Sequence, residues 1–292
     1  MNYVFYHKVD LDGFVSGGLT RYYLEVIKNQ PVEMIPINYT DSIDWSVFTP
    51  GDNLYMVDFH IPPEYFSKLD ELDITIIDHH ESFLKNLGNK KLKKGIISIG
   101  EAACSLVWKY FYDEDVPKAV QLWSKYDVWD KDEYWESETL PFQYGSRTLE
   151  LDPSLYFNTW RYLISHKQLD DKKWVNELIK IGKSIIKYEY QENLKNLQSY
   201  GFDAEFQGMK ALCLNTASKG SQLFEPLWDE NKYDIMFKFV NLGGRYEITL
   251  YTTKDIDVSE IAKKYGGGGH VNAAGFIVND IKINNNKIEV II

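Results

Sequence analysis

Apolar residues fall first into short runs and later into helical stripes. Tyr3-Val4-Phe5-Tyr6, Val32 to Ile37, Asn53 to Asp58 and Asp73 to Asp78 are compact apolar runs of strand length. Between them, Val15 to Ile27 reads as a helix, as does the segment opened by Pro62-Pro63, since proline suits a first helical turn. Strands separated by helices predict a parallel sheet built from right-handed βαβ units. Further along, Glu101 to Tyr112 presents a broad apolar face of Ala102, Ala103, Leu106, Val107, Trp108 and Phe111. Lys172 to Tyr200 carries Trp174, Leu178, Ile181, Ile185 and Tyr188 at spacings of four and three, the stripe of a helix that packs along a seam. Beyond it come Ala211–Leu214, Ile235–Val240, Tyr246–Tyr251, Gly275–Val278 and Lys287–Ile292 as strands, with a helix at Val258–Lys264. The expected fold class is α/β: an N-terminal parallel-sheet domain over 1–170, a linker helix over 171–200, and a smaller C-terminal α+β domain over 201–292 that closes over the first.

The strand endings carry the chemistry. The first run ends in His7, Asp10 and Asp12, the third in Asp58, and the fourth in Asp78-His79-His80. In a parallel sheet these ends share the carboxyl edge, where open α/β folds hold their ligands. A single strand-terminal Asp is most often a turn former; three such endings on one edge are a site. Asp10 and Asp12 point to opposite sides if extended, which suits two cations side by side. Two carboxylates about 4 Å apart repel by roughly 4 kcal/mol at an effective dielectric near 20, so positive charge belongs between them.

Composition narrows the class. At 292 residues and 44% hydrophobic content the chain can bury a sizeable core. A net charge of -11 argues against a binder of long duplex DNA, which neutralises many phosphates with Lys and Arg. No long apolar span or leader pattern is present, so no membrane association is expected and the cytoplasm is the expected location. Cys104 and Cys213 lack zinc-site spacing and read as reduced, buried thiols. Lys85, Lys90, Lys91, Lys93 and Lys94 read as a solvated loop, with steering of an anionic substrate as the alternative. His60, two residues after Asp58, reads as a structural histidine, with a place facing the same site as the alternative.

Near the C-terminus stands Tyr265-Gly266-Gly267-Gly268-Gly269-His270, continuing as Asn272-Ala273-Ala274-Gly275. Consecutive glycines let backbone approach a ligand or adopt positive φ, and their N–H groups can form an anion-binding concavity. His270 can donate to a phosphate oxygen.

Asp78-His79-His80, with His7…Asp10-x-Asp12-Gly13 upstream and Asp58 between, resembles the DHH phosphoesterase superfamily. The Gly-Gly-Gly-His string resembles the motif of its DHH-associated C-terminal domain, and the Ser-Leu-Val-Trp helix at 105–108 is similar to the oligoribonuclease-like nanoRNase branch. The resemblance implies a dinuclear centre, with His7, Asp10 and Asp58 on one metal and Asp12, Asp58, His79 and Asp127 on the other. Asp130 lies three residues beyond Asp127 and is the alternative for the fourth motif. It further implies Asp78, His79 and His80 as catalytic residues, with His80 touching phosphate, and Gly267, Gly268, Gly269 and His270 binding substrate. His and Asp donors without thiolate suit two Mn²⁺, with Mg²⁺ or Co²⁺ as alternatives. The implied activity is exonucleolytic hydrolysis of short oligonucleotides to mononucleotides. The alternatives are hydrolysis of 3′-phosphoadenosine 5′-phosphate or of cyclic or linear dinucleotides and, in a different class, a sensor that binds nucleotide without cleaving it. The helical seam leaves a homodimer open.

Overall fold

A computed structural model of the chain describes residues 1–88, 90–218 and 220–291. Ile292, included in the last expected strand, lies outside them. The backbone divides into two compact units, Met1–Ile185 and Ile186–Ile292.

The first unit contains β1 (Asn2–His7), α1 (Leu11–Tyr22), β2 (Val32–Ile37), β3 (Asn53–Val57), α2 (Lys68–Glu71), β4 (Asp73–Asp78), α3 (Glu81–Leu87) and β5 (Lys94–Ile97). Four helices follow: α4 (Ala103–Phe111), α5 (Lys118–Asp127), α6 (Leu140–Ser146) and α7 (Phe157–Ser165). The five strands form an all-parallel sheet in the order β2-β1-β3-β4-β5. The chain leaves β1 for β2 on one side and later for β3 on the other, so the order reverses between β1 and β3. Open α/β sheets gather ligands at such a reversal.

Period-two alternation explains the two-sided burial. Val4 and Tyr6 of β1, Val57 of β3 and Ile77 of β4 join a core with Leu19, Leu106, Trp123 and Trp160. Phe5, Leu54, Met56, Ile74 and Ile76 face the other way into a cluster with Phe59 and Phe83. Strands buried on both faces read as continuous apolar runs, which is why β1, β3 and β4 are legible, whereas β2 at the sheet edge exposes Glu33 and Pro36.

β5 was not expected. Its residues Lys94-Gly95-Ile96-Ile97 lie inside the lysine run, and Ile96 pairs with Ile77 at the sheet edge. The run is solvated as expected, with Lys85, Lys91, Lys93 and Lys94 exposed, but Lys85 belongs to α3 and Lys94 to β5. Lys90 and Lys94 reach the carboxylates of Asp70 and Asp73 at 2.8 and 2.6 Å, and the Lys93 ammonium donates to the Asp70 carbonyl. Asp73 opens β4 while Asp78 closes it, so Lys90, Lys93 and Lys94 serve the opposite edge of the sheet, while Lys85 pairs with Glu81 on α3 at 3.0 Å. The Pro62-Pro63 helix is also shorter than expected: a single 3₁₀ turn, Pro63–Tyr65, precedes the four-residue α2.

Helix α8 (Lys172–Tyr200) spans the division between the units. The second unit adds β6 (Phe202–Phe206), β7 (Met209–Asn215), β8 (Ile235–Asn241), β9 (Tyr246–Tyr251), α9 (Val258–Lys264), β10 (Gly268–His270), β11 (Ala273–Val278), β12 (Asp280–Asn284) and β13 (Lys287–Ile291). They make one mixed sheet in the order β10-β11-β9-β8-β7-β6-β13-β12. Its core joins Phe206, Phe237, Leu250 and Phe276 to Val258 and Ala262 of α9. The fold is therefore a parallel α/β sheet followed by a smaller α+β unit. Cys104 and Cys213 are both buried and free, and burial pushes the Cys213 thiol up to about 12.

Candidate metal centre

The turn from β1 into α1 places three side chains within six residues. Asp10 is extended at the helix N-cap, where its carboxylate accepts from the Gly13 amide at 2.9 Å. That leaves its second oxygen 3.1 Å from His7 Nδ1. A Cβ on Gly13 would sit 1.9 Å from the His7 carbonyl oxygen, so only glycine lets α1 start this close to the strand end. Asp12 is already helical and buried. Its two oxygens accept from the Ala103 and Cys104 amides at 2.9 and 2.8 Å, the N-terminus of α4. A helix N-terminus favours a carboxylate through its free N–H groups and dipole.

Asp58 leaves β3 with φ of +52°, a left-handed conformation that Asp tolerates better than bulkier residues. This turns its carboxylate between the two groups. One oxygen lies 3.5 Å from His7 Nδ1, and the other lies 3.4 Å from His79 Nε2. His79 Nε2 also lies 3.7 Å from Asp12 and 3.3 Å from Asp127. Two clusters result, His7/Asp10/Asp58 and Asp12/His79/Asp127, joined by Asp58. The expected ligand positions converge as a set.

The set fits divalent ions. His7 Nδ1 is buried and has no aligned hydrogen-bond partner among the described residues, although two carboxylates approach it. Ligands about 2.1 Å from one ion at right angles stand about 3 Å apart, close to the spacings seen here. Electrostatics agree. Burial and the neighbouring Asp58 push the Asp12 carboxyl up to about 8, and burial and Asp12 push Asp127 up to about 7. Asp58 is raised for the same reason, burial first. Burial disfavours charge on His7 and His79, but the surrounding carboxylates outweigh it and raise them to about 10 and about 9. Without a cation, protons and imidazolium must supply the positive charge that the cluster lacks.

Asp127 is the last residue of α5, and the chain then turns through Trp129 at φ +54°. Asp130 therefore does not share a helix face with Asp127. It is exposed beyond the helix end, while Asp127 faces His79.

Asp78 is fully buried and stands behind the two ligand clusters. Its oxygens hold His80 Nδ1 at 2.7 Å and His60 Nδ1 at 2.8 Å. Burial would raise its carboxyl, yet these two histidines hold it below the usual range. His80 is fixed through one ring nitrogen while a third of its side chain stays exposed. His60 is the buried, hydrogen-bonded structural histidine that the sequence predicts, and its partner is Asp78, with the Tyr39 hydroxyl 2.9 Å from the same His60 nitrogen. Tyr39 follows β2, and a lone tyrosine in a turn gives no local signal in the sequence.

In the second unit, Gly266 takes φ of +75°, and the Gly267 amide donates to the Ala262 carbonyl at 3.0 Å, closing the end of α9. Gly268, Gly269 and His270 form β10 and pair with Gly275, Ala274 and Ala273. A Cβ on Gly267 would lie 2.1 Å from the Gly275 oxygen, so close packing of β10 on β11 already requires glycine there. His270 is exposed on this short edge strand.

No protein-family model matches the chain. An uncharacterized protein of Acanthamoeba polyphaga mimivirus is 25% identical over 313 residues, covering 96% of this chain and 68% of that protein. Oligoribonuclease NrnB of Bacillus subtilis (strain 168) is 23% identical over 260 residues, covering 78% of this chain and 60% of NrnB. Among solved structures, the pGpG-specific phosphodiesterase PggH of Vibrio cholerae superposes with a TM-score of 0.55 at 13% identity, covering 95% of this chain and 93% of that one. The DHH domain of a protein assigned to a family of ribosomal proteins also gives a TM-score of 0.55, at 12% identity, covering 99% of this chain and 82% of that one. The chain thus shares the fold of these solved structures, a DHH domain among them, with strand-end His and Asp residues gathered on its parallel sheet, and its sequence is similar to that of oligoribonuclease NrnB.

Proposed function

We propose that the protein is a metal-dependent phosphodiesterase that hydrolyses short oligonucleotides exonucleolytically to mononucleotides. The observation that carries this reading is Asp58, whose two oxygens face His7 and His79 in two separate ligand clusters. One ion would take His7, Asp10 and Asp58; the other would take Asp12, Asp58, His79 and Asp127. Ions so held would lower the pKa of a bound water and neutralise charge developing on phosphoryl oxygens. The imidazole and carboxylate donors favour Mn²⁺, with Mg²⁺ or Co²⁺ as alternatives.

The chain's own residues supply the remainder. Asp78 locks the His80 ring through Nδ1, which leaves Nε2 to donate to a phosphate oxygen. His60 holds the other oxygen of Asp78, so that carboxylate cannot swing toward the ligands. The α4 amides keep Asp12 ionised and oriented when a cation offsets its burial. In the second unit, His270 with Gly267, Gly268 and Gly269 is the proposed phosphate-binding group, supported by the exposure of Gly268, Gly269 and His270.

A linear dinucleotide is the second substrate reading, supported by the fold likeness to PggH over almost the whole of both chains. The deciding experiment measures mononucleotide or phosphate release from a five-nucleotide RNA, a linear dinucleotide and 3′-phosphoadenosine 5′-phosphate, with Mn²⁺ and with chelator. Release from the RNA that requires the metal, disappears in Asp127→Asn and persists in Asp130→Asn would uphold the proposal. Release that ignores chelation, or none from any substrate, would sink it.

A further inference from the structure

Immediately beyond Asp127 the chain builds an aromatic face that the metal centre does not need. Tyr126 stacks on Trp135 with ring centroids 5.6 Å apart and planes 6° apart, and Trp129 stacks on Trp135 at 5.5 Å. Trp135 is buried beneath, while Trp129 stands 54% exposed. Trp129 also holds φ of +54°, a conformation that costs a bulky residue of order 1 kcal/mol or more. That left-handed residue closes α5, since the Trp129 amide donates to the Tyr126 carbonyl at 3.2 Å and the Asp130 amide to the Lys125 carbonyl at 2.9 Å, but helix closure does not call for a large apolar ring half in solvent.

Two cations serve this face. Lys131 Nζ lies 4.8 Å from the Trp129 ring, and the Arg147 guanidinium lies 4.9 Å from Tyr144 and 5.9 Å from Tyr126. Arg147 is exposed and pairs with no carboxylate among the described residues. It lines a cavity of about 400 Å³ whose other walls include Asp10, Asp12, Asp127, Tyr126 and Gln143. Gln143 is buried, and its side-chain oxygen has no hydrogen-bond partner among the described residues. An arginine held on tyrosine rings, opposite the carboxylates of the metal centre, is positioned for an anion that those carboxylates alone would repel.

We propose that this cavity and the aromatic face beside it form a nucleoside subsite, in which a substrate base stacks on Tyr126 and Trp129 and its phosphate pairs with Arg147. The subsite rests on the phosphodiesterase reading and deepens it. Every base has a π-face, so recognition by stacking is indifferent to sequence. Residues 130–138 carry five carboxylates against one lysine, which disfavours further phosphates along this face. The subsite therefore accepts one or two nucleotides and no long strand.

The test compares a linear dinucleotide with the same backbone lacking both bases, using the Mn²⁺-loaded protein. Trp129→Ala and Tyr126→Ala should each lower the ratio of kcat/KM for the dinucleotide to that for the abasic analogue by about ten-fold, the usual worth of a stacked base. Arg147→Ala should raise KM for both substrates more than it lowers kcat. Unchanged ratios would overturn the subsite. Tryptophan emission titrated with the dinucleotide, Ca²⁺ replacing Mn²⁺, reads binding without turnover. Quenching in the wild type that is lost in Trp129→Ala supports the subsite even if neither diester is hydrolysed, an outcome that would sink only the phosphodiesterase reading. Equal quenching in both proteins would overturn the subsite itself.

Discussion

Stripped of divalent ions, the protein should lose stability as pH rises from 5 to 8. Asp12 is the main cause: buried and beside Asp58, its carboxyl is raised from 3.8 to about 8. An acid whose folded pKa exceeds its unfolded value binds its proton more tightly when folded, so its stabilisation is present at low pH and drains away up to the folded pKa. Each pH unit in that window removes about 1.4 kcal/mol, so three units between pH 5 and 8 remove about 4 kcal/mol. For a unit of this size that corresponds to a fall in Tm of about 8–16 °C. His7 and His79 act in the same direction at higher pH. Raised to about 10 and about 9, they contribute fully below the ordinary histidine value and lose that contribution as pH climbs through those values. Asp10 and Asp78, both lowered, lose their contribution only in acid and do not oppose the trend. Mn²⁺ at about 100 times its Kd should add about 2.7 kcal/mol and flatten the slope, because a cation takes over the role of the bound protons. Differential scanning calorimetry from pH 5 to 8, with chelator and with Mn²⁺, measures both curves. A metal-free Tm that stays flat or rises over this window would refute the reasoning that these carboxylates form one charge-starved cluster.

Gly13→Ala should destabilise the first unit by more than about 2 kcal/mol and weaken Mn²⁺ binding, since its Cβ must displace the His7 carbonyl that sets the start of α1; denaturant melts and metal titration check both effects. His60→Ala should lower kcat/KM about 10- to 100-fold by releasing Asp78 and thereby His80, the usual size of an effect transmitted through an orienting partner. His60→Gln should recover part of that loss, and kinetics in which the two variants behave alike would count against an orienting hydrogen bond.

Sequence alone determined a good deal. Strands buried on both faces must be apolar throughout, so β1, β3 and β4 announced themselves, and their parallel arrangement followed from the helices between them. A parallel sheet has one carboxyl edge, which is why residues as distant as His7 and His79 could be assigned to one site before any contact was known. The DHH resemblance proposed the pairing of ligands, and the strand-end pattern had already located them. Tertiary structure decided the rest. Lys90 and Lys94 were assigned by ion pairs with Asp70 and Asp73, partners that depend on which end of β4 they meet. Asp127 was separated from Asp130 by where α5 stops, a boundary set by local packing and by the turn at Trp129. His60 became part of the centre because β3 and β4 lie side by side, bringing Asp78 to it. The Tyr126, Trp129, Trp135 and Arg147 face brings a segment next to α5 together with the end of α6, and spacing in sequence carries no information about rings that meet across helices. Periodicity reports which way a residue faces; only the packed fold decides what it faces.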